Sequence, residues 1–210
     1  MSCTTPRGVS DRSLNRFWST APHLLLCSLA SLVLATAAKS QSATPFCFGD
    51  GTSSVSGGNC PCGPLQNGLP GEGCMNSTGA GGLMTAAGNS CVTFGCGPDT
   101  LVLQGNQLPS TATCILIQSA TPLTTDVYLG DGIRCIGGVL RRLYVDSAFM
   151  GQVRFPPSTG PSISAQSAAL GDVIPPAGVR YYQIYYRDPA VAHCPPALFN
   201  ITNGMTVTWR

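Results

Sequence analysis

The chain has 210 residues, is 43% hydrophobic and only 10% charged, and carries a formal net charge of +2. That charge is local: residues 1–40 hold Arg7, Arg12, Arg16 and Lys39 against Asp11, and the remainder has seven basic residues, eight acidic ones and no lysine. A phosphate-tracking surface needs clustered Lys and Arg, and beyond Arg141–Arg142 there is no cluster, which argues against nucleic acid and anionic membrane surfaces as partners.

The basic lead-in is followed by the uncharged apolar run Leu24–Ala38 and then by small residues, "ATAAKSQSA". This is the layout of a secretory signal peptide over residues 1–40, with cleavage after Ala37, Ala38 or Ser40. The run is too short for a comfortable membrane span, so no integral span is expected after cleavage; a retained anchor is the alternative. Leu26 is too bulky for a lipoprotein site at Cys27. Removing Cys3 and Cys27 from the eleven cysteines leaves nine, which in an exported chain read as disulfides plus at least one unpaired thiol.

Residues 41–82 are punctuated by glycine and bury little apolar surface, so cross-links must offset the backbone entropy of ordering them. Cys47, Cys60, Cys62 and Cys74 supply four sulfurs. Cys60 and Cys62 flank a single proline, a poor geometry for a mutual bridge. The expected pairing is therefore among these four, Cys47 taking one of Cys60 and Cys62 and Cys74 the other. Zinc is the rival reading, but C-x-C lacks the usual knuckle spacing.

From residue 83 onward the signal is that of short strands. "DTLVLQG" (99–105) and "ATCILIQS" (112–119) are β-branched runs bounded by turn residues. "TTDVYLGDG", "GVLRRLYVD", "QVRFP", "YYQIYYR" and "MTVTW" continue the pattern, and "SISAQSA" reads as a further strand. No segment in this region shows sustained helical periodicity. The expected fold is all-β: an antiparallel two-sheet sandwich over 83–210, a jelly roll being one way to connect it, packed with the 41–82 lobe as one domain.

Several landmarks are long and specific: F-C-F-G-D-G-T at 46–52, C-P-C-G at 60–63, G-x-G-C-x-N-S-T-G at 71–79 and D-T-L-V-L at 99–103. G-D-G-x-R-C-x-G-G at 130–138, R-Y-Y-Q-x-x-Y-R-D-P at 180–189 and F-N-x-T-N-G-x-x-V-x-W at 199–209 complete the set. Together they resemble a secreted, Gly/Cys-rich β-domain of some environmental bacteria, over nearly all of the chain past residue 40. The resemblance implies export, disulfides and a β-rich domain, and no assigned activity or catalytic residue. In that pattern Cys135 and Cys194 recur with the first four cysteines, which suggests a Cys135–Cys194 pair. Cys91, Cys96 and Cys114 depart from it and stay unassigned.

Catalytic chemistry finds little to work with. His193 is the one histidine past the leader and sits in "AHCPP", without a nucleophile motif elsewhere. Glu72 is the only glutamate there, the aspartates mostly neighbour Gly or Pro, and no lysine exists for amine chemistry. Asp50 and Asp131, with Asp126 near, are weak calcium candidates, since no D-x-D-x-D-G loop is present and turn formation explains them. No residue pattern asks for a cofactor. The one surface candidate is the tyrosine strand. Strand parity puts Tyr182, Ile184 and Tyr186 on one face, expected to look into the core, and Tyr181, Gln183, Tyr185 and Arg187 on the other. Tyr181 and Tyr185 stand about 13 Å apart at the usual rise, spaced to stack sugar rings with Gln183 and Arg187 donating hydrogen bonds. Strand propensity alone also explains tyrosine there. The expected function is a secreted or cell-surface, non-enzymatic structural or interaction domain. A module binding surface glycans or other exported ligands through that face is the second reading, and an exported hydrolase the third.

Overall fold

A computed structural model describes residues 42–55, 57–190 and 193–210; the expected signal segment, 1–40, lies outside the described residues. The described chain folds as β1 (Ala43–Phe46), β2 (Leu83–Ala87), β3 (Val102–Asn106), β4 (Thr113–Ser119), β5 (Pro122–Leu129), β6 (Gly132–Ile136), β7 (Arg141–Ser147), β8 (Val153–Phe155), α1 (Ile163–Ala169), β9 (Val179–Arg187), β10 (Phe199–Ile201) and β11 (Gly204–Thr208). A single 3-10 turn, Pro64–Gln66, interrupts the lobe. Among the described residues no helix is long and apolar enough to cross a membrane.

The protein is an all-β antiparallel sandwich. Its main sheet runs β1-β11-β9-β4-β7, and β10 adds to β9 beyond the end of β11. The early part of β9 pairs with β11 (Tyr182 with Met205) and the late part with β10 (Tyr185 with Ile201). Thr202, between those two short strands, bonds Ile184 on both sides of its peptide: its N–H donates to the Ile184 carbonyl and its hydroxyl accepts from the Ile184 N–H. A second sheet, β2-β3-β8, packs on one face of the main sheet.

Alternation along the strands builds the core between the sheets. Tyr182, Ile184 and Tyr186 of β9 and Cys114 and Leu116 of β4 point inward, where they meet Met84, Leu103 and Phe155. All three β9 residues are fully buried, as parity requires. In β7 the register against β4 skips Leu143, a bulge that lets both Leu143 and Tyr144 face the core while Arg142 and Val145 stay outside.

The opposite face of the main sheet is partly covered. The β5–β6 hairpin crosses it, packing Ile136 and Leu129 with Ile117, Ile201, Phe46 and Tyr181. The Gly/Cys-rich lobe packs on β6 in turn, through Val55, Cys60, Cys74, Ile133 and Cys135.

Two expectations need correction. "SISAQSA" is a helix, α1, not a strand. Ser162 caps it, its hydroxyl accepting from the Ala165 N–H, and Asp99 accepts from the N–H and hydroxyl of Ser164 in the first turn. Only Ile163 and Ser167 are buried, the i, i+4 pair of a helix face. The helix is tied to the sheet through Asp172, which receives a bidentate contact from Arg180 (2.6 and 2.9 Å) and a 2.8 Å bond from Gln118. Arg180 above all holds the Asp172 carboxyl below its usual range.

The disulfides are the second correction. Cys60 pairs with Cys74, within the expected set, but Cys47 pairs with Cys135 and Cys62 with Cys194, so the first four cysteines do not close among themselves and Cys135–Cys194 is not a bond. The lobe carries too few strands to close on itself, and two of its four sulfurs staple it onto the sandwich. Cys91 pairs with Cys96, and Cys114 is a buried free thiol.

Candidate functional site

The outward face of β9 is where the proposed platform would stand, and the structure breaks it into four environments. Tyr181 is half-buried and meets Phe46 edge-on, ring centres 5.7 Å apart at 73°. Gln183 is fully buried beneath the hairpin. Its carbonyl accepts from the Cys135 N–H at 3.0 Å, and its amide donates to the carbonyls of Ile133 (3.0 Å) and Thr202 (2.9 Å). A gap in the hairpin ladder explains the first bond. The β5–β6 register breaks between Pro122 and Val127, opposite Cys135, and the Gln183 side chain takes the place of the missing strand partner. Gln183 therefore has no donor left for a surface ligand. Arg187 stands exposed at the strand end. The neighbouring Asp188 does not pair with it but turns inward, accepting from the N–H (2.8 Å) and hydroxyl (2.5 Å) of Ser77.

Tyr185 behaves differently. It is half-buried, lies against Phe199 with ring centres 5.1 Å apart, and forms part of the wall of a half-open cavity of about 520 Å³. Ile115 and Ile117, the outward residues of β4, join Tyr185 as its floor. Leu129 and Arg134 close it from the hairpin, Phe199 from β10, and Leu140 and Arg142 from the β7 side. Local geometry fixes these walls. Gly130 adopts φ +63° at the hairpin turn and approaches so closely that a Cβ there would fall 2.4 Å from the Phe199 ring. The Asp131 N–H donates to the Phe199 carbonyl at 3.0 Å, fixing β10 to the turn.

Two arginines line this apolar space, Arg134 from the hairpin and Arg142 from β7. Neither Arg134 nor Arg142 has a hydrogen-bond or ion-pair partner among the described residues, and the Arg134 Nε is buried with its donor unmet. Arg141, adjacent in sequence, points the other way, within 3.7 Å of Asp172. Of the cavity's residues, the sequence pointed only to Tyr185. Arg134 lies inside the G-D-G-x-R-C motif and Arg142 inside "LRRL", but neither position by itself says that β6 and β7 face each other across β4.

The remaining candidates occupy structural positions. Asp50 accepts from the Thr52 N–H and hydroxyl and from the Gly71 N–H. Burial alone would raise its carboxyl, but these bonds outweigh it and hold the group below its usual range. Asp126 accepts from the Ser54 N–H, while its own N–H donates to the Ser54 hydroxyl. Its carboxylate lies close to the sulfurs of Cys47 and Cys135, but those sulfurs are spent in a disulfide and offer no thiolate to a metal. Asp131 is only 4% exposed, with one carboxylate oxygen buried and unbonded. Burial first, then the Asp188 charge, pushes its carboxyl up to about 6, with His193 pulling the other way. His193 donates from Nε2 to the Met75 carbonyl at 3.0 Å, a backbone contact that ties the loop near Cys194 to the lobe.

No family model, curated protein or solved structure matches this chain. Function is therefore argued from the cavity and its chemistry.

Proposed function

We propose that the protein is an exported, non-enzymatic interaction domain of the secreted Gly/Cys-rich β kind that its motifs resemble, and that it binds its ligand in the cavity beside Tyr185. One observation carries the reading. The outer face of the main sheet is closed by the hairpin and the lobe over Tyr181 and Gln183 but opens over Ile115, Ile117 and Tyr185 into a cavity of about 520 Å³. That volume is within the range of small-molecule sites, which are mostly apolar with a few convergent polar groups. Four disulfides fit an oxidising compartment, and the segment 1–40 has the layout of a leader. A histidine committed to a backbone carbonyl supports a binding role over hydrolysis. The flat glycan platform loses its central donor, because Gln183 is spent on the hairpin.

Protein-observed NMR with a fragment library of mixed charge tests the reading. Shift changes are expected to cluster on β4, β9 and β10 and to vanish in Ile117→Trp, which fills the cavity floor. Changes confined to other surfaces, or no changes, would overturn it.

A further inference from the structure

The chemistry of the cavity is uneven in a way that specifies a ligand class. Its lining side chains are aliphatic or aromatic except for two, and both of those are arginines. Among the described residues no carboxylate lines it, and none pairs with either arginine. A buried guanidinium N–H without an acceptor is costly, and proteins normally meet it with an oxyanion. At Arg134 no described residue supplies that acceptor.

The placement is also convergent. Arg142 neighbours Ile117 across the β4–β7 pair, and Arg134 sits on the hairpin that covers the same face. The two charges thus border a single apolar floor. Guanidinium groups meet carboxylate and phosphate oxygens with paired, planar hydrogen bonds. Ile115, Ile117 and Leu129, with the Tyr185 and Phe199 rings, offer an aliphatic or aromatic body a dry surface. A neutral sugar would meet donors but, beyond the Tyr185 hydroxyl, no acceptor for its own hydroxyls among the lining side chains, and a cation would meet two like charges.

We infer that the cavity takes an amphipathic oxyanion, its head held between Arg134 and Arg142 and its apolar body packed on Ile115, Ile117, Tyr185 and Phe199. The inference rests on the cavity being a binding site and adds the sign of charge and the polarity of what fills it.

Titration of the folded protein with decanoate, decyl phosphate, decanol and decylamine, followed by calorimetry and NMR, separates the possibilities. Decanoate or decyl phosphate is expected to bind at least about tenfold more tightly than decanol, the scale set by hydrogen bonds to charged groups, and decylamine more weakly still. Which of the two anions is preferred distinguishes a carboxylate from a phosphate source. Arg142→Met, at an exposed position where folding is not at stake, is expected to weaken the anions about tenfold and leave decanol unchanged. Arg134→Met is expected to do the same, and Arg154→Met, exposed on β8, to change nothing. Equal affinity for decanol and decanoate, with both lost in Ile117→Trp, would overturn the charge preference while leaving the binding cavity standing. If none of the four probes perturbs the cavity while library fragments do, the ligand class is wrong. If nothing perturbs it, the cavity reading fails with it.

Discussion

Gln183 is the residue whose removal should be most costly relative to its size. Its amide closes three hydrogen bonds at 2.9–3.0 Å in a fully buried position, joining β9, the broken ladder of the hairpin and the β10–β11 junction. Gln183→Met keeps most of the volume but orphans the Cys135 N–H and withdraws donors from two carbonyls. Each unmet buried group costs about 1–3 kcal/mol, and the two carbonyls lose less because each retains a second lone pair. A total of about 3–4 kcal/mol follows, equivalent to a fall in Tm of about 6–16 °C for a chain of this size. Differential scanning calorimetry with the disulfides intact measures it directly. Gln183→Glu is a sharper probe. An ionised carboxylate accepts but does not donate, so two carbonyls would face a negative oxygen at neutral pH. That variant should be worse than Gln183→Met at pH 7 and recover part of the loss near pH 4, where a protonated acid can donate once. A drop below about 2 °C in Gln183→Met, or a Gln183→Glu variant indifferent to pH, would show that Gln183 does not hold the hairpin to the sheet.

Asp131 should give the protein an unusual pH dependence. Its folded carboxyl is raised from 3.8 to about 6, so the folded state binds the proton more tightly than the unfolded chain, and this contribution to stability is complete below about pH 4 and lost as pH rises through about 6. The full change corresponds to about 3 kcal/mol. Relaxation of the surroundings around the ionised carboxylate absorbs part of it, so about 2 kcal/mol is expected. Asp131→Asn should flatten denaturation midpoints between pH 4 and 7 and be the more stable protein at pH 8; an unchanged slope would refute the assignment. Cys114, buried and pushed up to about 12 chiefly by burial, should resist iodoacetamide at pH 8 in the native protein and react stoichiometrically in guanidinium, as read by intact mass. Labelling of the native state at the rate of a free thiol would contradict its position.

Much of the sandwich was legible because its strands alternate. In β9 the fully buried set Tyr182, Ile184 and Tyr186 follows from parity alone, and β4 repeats it with Cys114 and Leu116. Other parts escaped for reasons that lie beyond local pattern. Helix α1 is two turns long, too short for a periodic signal, and depends on Asp99, a residue 65 positions away, at its first turn. Outward parity was right for Gln183, but outward from one sheet meant inward beneath a hairpin that strand spacing does not place. The cavity arginines come from two strands that flank different neighbours, so only the fold over β4 brings them to one space. Pairing of Cys47 and Cys62 failed as a local inference because their partners lie in β6 and in the loop before β10.

Those two cross-links impose an order on maturation. Ribosomes make the chain from its N-terminus, so Cys47 and Cys62 exist 88 and 132 residues before the sulfurs they need. Meanwhile Cys60 and Cys74, 14 residues apart, are complete early. During that interval the lobe holds two waiting thiols beside a nearby pair, and any oxidation among the four other than Cys60–Cys74 must later be undone. Complete oxidation is therefore a late event, reached only once Cys194 has followed Cys135, and the maturing chain benefits from an exchange catalyst more than from a fast oxidant.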